Sequence, residues 1–436
     1  MGSGQTILIS NISLIDGTGT APQPNASVLI RNGKFEKIFQ RQEQATDATV
    51  IDGAGKFLLP GLFDMHAHLL SGGFDSITDQ IDSFDPETEK RALMQMLYWG
   101  VTTVFNPVQP LATAEELRNY ESANPSLSPR VLLSGPGFTA PGGWAGSFLP
   151  IARLEPDEPK SAREQVNTLA DASVDFLKVY YDGQCCAFVS PLPKLKKAVM
   201  QEIVTTAHTR KLKVMVHAYD VENHLDALRA GADIMAHSAV TAPVNEEYLR
   251  LSRKNNVMYL ATLSAYHDAF NPSALREFIS QDFVQKSVPK KTLSTLASGG
   301  PLDGFLTSVK ASFIAGQWPV ILGNLKAIFD RGVPIAVGPD TGIMGAFPGI
   351  SVHRELELMA EASIPASSLL AAATSVPAKY LGLHGLGVIE EGAIADAVIT
   401  TKNPSTDIRD TRTVETVIKG GVVVDRAELL RKILSN

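Results

Sequence analysis

Two histidines separated by a single residue end an apolar run, LLPGLFDMHAHL, and are the strongest sign of chemistry in the chain. Residues i and i+2 of a β-strand point to the same face, so the imidazoles of His66 and His68 can bind one cation without bending the backbone. Further side chains able to bind metal or move protons lie in or at the ends of other apolar runs: Lys178, His217, His237 and Asp340. Together these residues predict a metal site.

The elements that must position this site alternate along the middle of the chain. Short apolar segments are separated by longer helical stretches, a pattern typical of βα units and a parallel sheet. The predicted strands are residues 62–66, 101–106, 130–135, 176–182, 213–219, 233–237, 257–263 and 334–340. Eight such units predict a (β/α)8 TIM barrel, in which chemistry lies at the carboxyl ends of the strands. All the candidate ligands fall in or at these ends.

The two ends of the chain have a different character. Residues 1–59 and 385–436 contain short β-like runs broken by Asp-Gly, Asn-Gly and Gly-Lys turns, without a long helical period. We expect both ends to fold together as a small β-sandwich domain beside a catalytic barrel of residues 60–384. The segment 272–318 is longer than an ordinary crossover, which leaves open a lid over the barrel or an oligomer contact.

Composition limits the partners. The 436 residues are 44% hydrophobic and carry 39 Lys plus Arg against 46 Asp plus Glu, a net charge of −7. Such a chain offers no basic surface for phosphates, so we expect no nucleic-acid partner. No apolar run reaches the roughly 18 residues of a membrane span, so we expect no membrane partner either.

The leader and the cysteines bear on location. The start MGSGQTILIS lacks a charged region followed by an apolar one, which predicts a cytoplasmic protein unless a signal peptide has been removed. Cys185 and Cys186 are adjacent, a spacing unsuited to a structural disulfide between them. A reducing compartment fits a chain without such bridges.

The chain resembles the metal-dependent branch of the amidohydrolase superfamily that includes Xaa-Pro and Xaa-Arg dipeptidases and is related to imidazolonepropionase. The resemblance extends over nearly the whole length and is specific for the superfamily rather than for a substrate. The matching segments, in the order of the family, are PGLFDMHAHL, GVTTVFN, FLKVYYDG, VMVHAYD, IMAHS, VGPDTG, HRELELMAEA and GLGVIEEGAIADAVI.

This resemblance implies a site with two divalent metal ions. His66, His68 and Asp340 would bind one ion, and His217 and His237 the other. Zinc is the default ion, because imidazole and carboxylate ligands with an open position suit it, although manganese, iron and cobalt accept the same ligand types.

The resemblance also implies how the site works. Lys178 would bridge the ions as a carbamate, formed when carbon dioxide adds to its amine, because a protonated amine repels cations. Two cations lower the pKa of a shared water towards neutrality, so hydrolysis is the expected reaction. Asp340 would act as general acid and base besides binding metal. Tyr180, two residues after Lys178, either donates to the developing oxyanion or merely fills the barrel.

One departure from the family concerns Trp144. Relatives commonly carry a histidine at this place after a Gly-Gly pair, where it assists at the scissile carbonyl, but this chain reads FTAPGGWAGSF. We expect Trp144 to bind substrate as an aromatic wall for a flat or apolar group, with simple packing of the loop as the alternative.

Taken together, the sequence predicts a hydrolase that cleaves a C–N bond of a small-molecule substrate such as a dipeptide or an N-acyl amino acid. For a peptide-like substrate, Tyr180, Tyr181 or Tyr219 would bind the carboxylate. The alternatives are hydrolysis of aromatic amides, ureas or an ochratoxin-type mycotoxin conjugate, and a non-catalytic scaffold. Because relatives often assemble, we also expect a homo-oligomer.

Overall fold

The computed structural model describes residues 6–44, 47–69, 86–143, 152–183, 192–298, 315–342 and 345–435. The strands of these residues are β1 (Ile7–Leu14), β2 (Gln23–Arg31), β3 (Lys34–Phe39), β4 (Thr49–Asp52), β5 (Phe57–Pro60), β6 (Leu62–Asp64), β7 (Val101–Asn106), β8 (Arg130–Leu133), β9 (Gly137–Phe138), β10 (Arg153–Leu154), β11 (Phe176–Tyr180), β12 (Lys213–His217), β13 (Ile234–Ala236), β14 (Met258–Leu260), β15 (Ile335–Ala336), β16 (Ala397–Thr400), β17 (Val414–Lys419) and β18 (Val422–Val423).

Helices follow most of the central strands. They are α1 (Pro86–Tyr98), α2 (Leu111–Ala123), α3 (Pro159–Asp171), α4 (Lys197–Thr209), α5 (Val221–Ala230), α6 (Glu246–Lys254), α7 (Leu263–Ala269), α8 (Pro272–Ser280), α9 (Asp282–Ser287), α10 (Lys290–Ser298), α11 (Trp318–Asp330), α12 (Ile350–Glu361), α13 (Ala366–Ala372), α14 (Ser375–Leu381) and α15 (Arg426–Leu434), with a 3₁₀ helix at Ile408–Arg412. None of the described helices combines the length and the apolar character needed to cross a bilayer.

Both ends of the chain build one sheet, in the order β18-β17-β16-β5-β1-β2-β3, with β4 paired to β1. The C-terminal strand β16 runs antiparallel to β5, from Ala397 opposite Pro60 to Thr400 opposite Phe57. The expected union of the two ends is therefore confirmed. The strands belong to one hydrogen-bonded sheet, in which β1 pairs with β4 along its first half and with β5 at its end.

The central strands are parallel and form two sheets, β6-β7-β8 and β10-β9-β11-β12-β13-β14-β15. Each segment predicted as a barrel strand contains one of these strands, so the α/β architecture with parallel sheets is confirmed. Most of the strands end earlier than predicted. The residues that follow them leave the ladder; Asp340, for example, has a left-handed φ of 62°.

Main-chain hydrogen bonds connect the two parallel sheets on both sides. The amide of Met65, just after β6, donates to the carbonyl of Val337, just after β15, at 2.8 Å. The amide of Asp175, just before β11, donates to Leu133 at the end of β8, also at 2.8 Å. The first central strand therefore lies beside the last, and the third beside the fourth.

An apolar layer lies on the shared inner face of these strands. Its buried side chains include Phe63, Phe105, Phe176 and Met215, and the rings of Phe105 and Phe176 stack with centroids 4.1 Å apart. Because side chains i and i+2 share a face, the residues that follow this layer on β11 and β12 are Lys178 and His217. The strand alternation thus places these polar side chains next to the apolar layer.

Helices α8 to α10 belong to the segment 272–318, of which residues 299–314 lie outside the described residues. They pack on the body of the chain: the Phe283 ring lies 5.7 Å from that of Trp99, and Gln95 on α1 donates to the carbonyl of Ser287 at 3.2 Å. Phe278 on α8 stacks with Phe347 in the loop after β15. The buried apolar side chains of these helices therefore pack against other residues of the same chain.

Candidate metal centre

A histidine pair and an aspartate meet where β6 and β15 end. Asp340 Oδ1 lies 3.3 Å from His66 Nε2 and 3.2 Å from His68 Nε2. Asp340 is 1% exposed and His66 is fully buried. The ends of two neighbouring strands thus bring two imidazole nitrogens and a carboxylate oxygen together, as the sequence predicted.

A second histidine pair lies at the ends of β12 and β13. His217 Nδ1 is 2.8 Å from His237 Nε2, so these two ring nitrogens lie within hydrogen-bonding distance of one another. The other nitrogen of His237, Nδ1, lies 3.5 Å from Asp340 Oδ2. The carboxylate of Asp340 therefore lies between the two histidine pairs.

Lys178 on β11 reaches the same group. Its Nζ lies 3.0 Å from His66 Nε2, and its side chain is fully buried. Burial lowers the pKa of Lys178 to about 7, although the Asp340 carboxylate works in the opposite direction. A substantial fraction of this amine is therefore neutral near neutral pH, unlike that of a surface lysine.

The electrostatics suit the binding of cations. Burial, with repulsion by Lys178, lowers the pKa values of His66 and His217 well below the ordinary histidine value, and burial does the same for His237. Burial alone would raise the pKa of Asp340, but interactions with His237, His68 and Lys178 outweigh it and lower that pKa. Neutral imidazoles and an ionised carboxylate are the protonation states in which these side chains bind metal.

The carboxylate of Asp340 also has unmet hydrogen-bonding capacity. Both of its oxygens are buried, and neither accepts a hydrogen bond of regular geometry from the described residues. A buried ionised group that lacks regular hydrogen bonds is costly, and a bound cation would reduce that cost. His66, His237 and Asp340 offer ligand atoms that all lie within 4.8 Å of one another. The donor set therefore fits a divalent metal ion.

Asp64 holds the two ligand-bearing strand ends together, a role that the sequence analysis missed. Its Oδ1 accepts from the His66 amide at 3.0 Å and its Oδ2 from Thr341 Oγ1 at 2.7 Å. Burial raises the pKa of Asp64 to about 8, against the lowering effect of these two hydrogen bonds. An aspartate inside a buried apolar run was the available signal, because such a residue needs partners.

The loop after Asp340 turns back tightly on the HxH strand. Gly342 has a φ of 93°, and a Cβ added there would overlap the carbonyl oxygen of His68. Thr341 Oγ1 and N bind Asp64 and His66 just before this turn. Glycine at 342 therefore permits the close approach that carries Asp340 to the histidines.

We expect Gly342→Ala to destabilise the metal-free protein by about 1–3 kcal/mol more than Gly392→Ala does. Gly392 has a matching φ of 90° with nothing within 4 Å of its added Cβ, so it carries the backbone cost without the overlap. Urea unfolding of both variants measures the difference. Equal losses of unfolding free energy would show that the close approach to His68 contributes nothing.

Tyrosines line the histidine cluster. The Tyr180 ring is 5.1 Å from that of His217, and the Tyr219 ring lies 4.7 Å from His217 and 5.1 Å from His237. Burial raises the pKa values of Tyr180 and Tyr219 above the ordinary tyrosine value, so both hydroxyls stay protonated. Tyr181 lies elsewhere, because its hydroxyl donates to Asp226 on α5 at 3.3 Å.

Two of the features singled out in the sequence have no described position. Trp144 lies in the segment 144–151, and Cys185 with Cys186 in the segment 184–191, both outside the described residues. The expected aromatic wall at Trp144 therefore stays a prediction.

Comparison with known proteins shows a family match over most of the chain. A profile of the amidohydrolase family matches residues 57–246 and 322–424. Dihydroorotase from Thermoanaerobacter sp. (strain X514) is 36% identical over 98 residues, which are 22% of this chain and 20% of that enzyme. The chain thus matches about a fifth of the length of this curated relative.

Solved structures share the fold over almost the whole chain. A Xaa-Pro dipeptidase with bound methionine in its active site is 24% identical with a TM-score of 0.74, covering 96% of this chain and 99% of that one. The ochratoxinase of A. niger is 19% identical with a TM-score of 0.70, covering 97% and 96%. The family profile spans more than half of the 436 residues, and the expected resemblance is confirmed: the chain belongs to the amidohydrolase family.

Proposed function

We propose that this protein is a binuclear metal-dependent hydrolase that cleaves the C–N bond of an amide in a small molecule such as a dipeptide or an N-acyl amino acid. The observation that carries the proposal is the meeting of two histidine pairs on either side of the buried Asp340 carboxylate, with Lys178 beside them. Membership of the amidohydrolase family and the hydrolases among the similar structures support the same class of enzyme.

The proposed scaffold is a closed eight-stranded barrel. Its support is the pair of hydrogen bonds that join the two parallel sheets, from Met65 to Val337 and from Asp175 to Leu133. Closure puts all the strand ends around one mouth, which is where barrel enzymes carry their chemistry.

The proposed ligand assignment is the one that membership of the family implies. His66, His68 and Asp340 would hold the first ion, and His217 and His237, whose Nδ1 and Nε2 atoms lie 2.8 Å apart, would hold the second. Nitrogen and oxygen ligands of this kind favour zinc, and they also accept manganese, iron or cobalt.

Lys178 is proposed to bridge the ions as a carbamate. Its neutral amine adds to the carbon of carbon dioxide, a new N–C bond forms as one C–O π bond opens, and the proton lost from nitrogen passes to water, because the neighbouring His66 stays neutral. The pKa of about 7 supports this step, because only the unprotonated amine is a nucleophile. The product is an anion with two oxygens in place of a cation.

The roles of the other side chains follow from position and protonation. When bound, the ions polarise the substrate carbonyl and lower the pKa of water. Asp340, ionised and central, takes a proton from the attacking water and delivers it to the leaving nitrogen. Tyr180 stays protonated and donates a hydrogen bond to the oxygen on which negative charge develops. The near-complete burial of these groups excludes bulk water from the site.

Tyr180→Phe is expected to lower kcat by about 10²-fold with little change in KM, because the lost hydrogen bond forms only as charge develops. Tyr181→Phe is the matched control: it removes the neighbouring hydroxyl, which binds Asp226 away from the site. Steady-state kinetics of both variants make the comparison. An unchanged kcat in Tyr180→Phe would leave Tyr180 as an aromatic that only fills space.

A second substrate class is supported by aromatic side chains beside the histidines. Tyr219 contacts both His217 and His237, and its ring lies 5.6 Å from that of Tyr266, which in turn stacks with Phe270 at 6.3 Å. Such a row suits a flat apolar group. Aromatic amides or ureas, including ochratoxin-type conjugates, are therefore the alternative substrates, and the likeness to an ochratoxinase is consistent with them.

The test is a screen of zinc-loaded protein against N-acyl amino acids, dipeptides, aryl amides and aryl ureas. We expect the highest kcat/KM among the peptide-like compounds. Higher values for aryl amides or ureas would favour the alternative substrates. Failure to hydrolyse any compound, together with well under one equivalent of metal, would favour a scaffold and contradict the proposal.

A further inference from the structure

A chain of hydrogen bonds leads from a buried glutamate on α12 to one of the candidate ligands. Glu355 is fully buried, and its carboxylate accepts three hydrogen bonds from the start of α7. Oε1 accepts from the amide of Leu263 at 2.7 Å, whereas Oε2 accepts from the amide of Ser264 at 2.7 Å and from its hydroxyl at 2.6 Å. Glu355 therefore fixes the backbone that directly follows Thr262.

Thr262 has a conformation that needs such support. It is fully buried, and its φ and ψ are 50° and 45°, in the left-handed region. A β-branched residue rarely adopts this region and keeps it only where its surroundings impose it. Ser238 adds a second restraint from the neighbouring strand end, because its hydroxyl donates to the carbonyl of Ala261 at 2.7 Å.

The Thr262 side chain touches the candidate ligand. Its Oγ1 lies 2.9 Å from His237 Nδ1, while His237 Nε2 lies 2.8 Å from His217 Nδ1. A ring nitrogen that binds metal must be unprotonated, so the proton of a neutral His237 must lie on Nδ1 and can be donated to Thr262. The hydroxyl thus accepts the Nδ1 proton and holds the ring orientation that turns Nε2 towards His217.

We propose that Glu355 is a positioning residue for the second metal ion, acting through Thr262 on His237. Glu355 itself contacts neither substrate nor metal. Its three hydrogen bonds hold α7 so that the Thr262 hydroxyl meets the imidazole. This inference rests on the proposed two-ion site, and it adds a residue 118 positions from His237 in the sequence to the groups that determine metal affinity.

The experiment measures binding of Zn²⁺ to the metal-free protein by competition with a chelator, which resolves the two affinities. Glu355→Gln keeps the size of the side chain. It replaces one acceptor oxygen with an NH₂ group, which is a donor and cannot accept from the backbone amide that faces it. Thr262→Val keeps the shape and removes the hydroxyl. We expect each variant to lower the affinity for one Zn²⁺ ion by about 10- to 100-fold and to leave the affinity for the other ion nearly unchanged.

Conservative and neighbouring variants serve as controls. Thr262→Ser retains the hydroxyl and is expected to bind both ions like the wild type. Glu357→Gln changes a glutamate on the same helix that pairs with Arg354, and is also expected to bind both ions normally. The double variant Glu355→Gln/Thr262→Val should bind no more weakly than Thr262→Val alone, because both changes break one chain of contacts.

Two results would overturn the inference. One is wild-type affinity for both ions in Glu355→Gln, whatever its thermal stability. The other is a fold-loss of affinity in the double variant that equals the product of the fold-losses in the two single variants. If Glu355→Gln does not fold, Ser264→Ala is used instead. This variant removes one of the three hydrogen bonds to Glu355 and should lower the affinity for the same ion a few-fold. Normal binding by Ser264→Ala would then overturn the inference. Failure of the wild type to bind two ions would instead contradict the proposed function on which the inference rests.

Discussion

Replacing Asp340 with asparagine is expected to lower kcat by about 10³-fold or more in protein that remains folded. Asparagine keeps the shape of the side chain, but it has no charge to attract a cation and cannot accept the proton of the attacking water. Because Asp340 lies between both histidine pairs, the substitution removes a ligand and an acid–base group together. Metal content should fall in the same preparation.

Asp233→Asn is the matched control for this variant. Asp233 precedes β13, whereas His237 follows it, so the control lies at the opposite end of the same strand, where its Oδ2 accepts from the amide of Val214 at 2.8 Å. We expect near-normal kcat for Asp233→Asn. Turnover in Asp340→Asn within ten-fold of the wild type would remove Asp340 from the proposed chemistry.

Lys178→Ala is expected to abolish measurable turnover and to weaken the binding of both ions, because the bridge between them is lost. The replacement leaves a cavity where the buried lysine side chain was. A short carboxylic acid such as propionate carries the same two oxygens as the carbamate and fits a space of that kind. We therefore expect propionate to restore part of the activity, with saturation as its concentration rises.

Lys213→Ala is the control for this rescue. Lys213 is the first residue of β12, at the end of the strand away from His217, and its Nζ lies 3.7 Å from Asp233. That variant should keep its activity and show no response to propionate. Full activity of Lys178→Ala in the absence of carboxylic acids would contradict the bridging role.

Much of the fold and the meeting of the candidate ligands could be predicted because the same physical pattern repeats. Each central strand is a short apolar run between helical stretches, and a polar residue at the end of such a run has few reasons to be there other than chemistry. His66, His217 and His237 are histidines of this kind, and the structure brings them together with Asp340 and Lys178. Their roles as ligands are the proposal that the experiments test.

The supporting contacts could not be predicted because they join residues that are far apart in the chain. Asp64 binds Thr341 across 277 positions, and Glu355 binds Ser264 across 91. No local period or spacing encodes such pairs. Asp64 is a polar residue within an apolar run, a pattern that indicates burial with partners but does not say which partners. Glu355 lies between Arg354 and Glu357 on its helix, so the sequence does not single it out as buried.

The conformations of the strand ends were also beyond sequence reasoning. Asp340 and Thr262 both have left-handed backbones although neither is glycine. Such conformations arise only from the surrounding structure and concentrate at functional sites. The sequence therefore predicted the residues after β14 and β15 as continued strands.

Anomalous diffraction at the absorption edge of the bound metal shows directly whether these side chains hold two ions. We expect two peaks: one next to His66 Nε2, His68 Nε2 and the Asp340 carboxylate, the other next to His217 Nδ1 and His237 Nε2. Density continuous with Lys178 Nζ should join them. A map without a peak at these histidines, or with Lys178 as an unmodified amine far from both ions, would contradict the two-ion site.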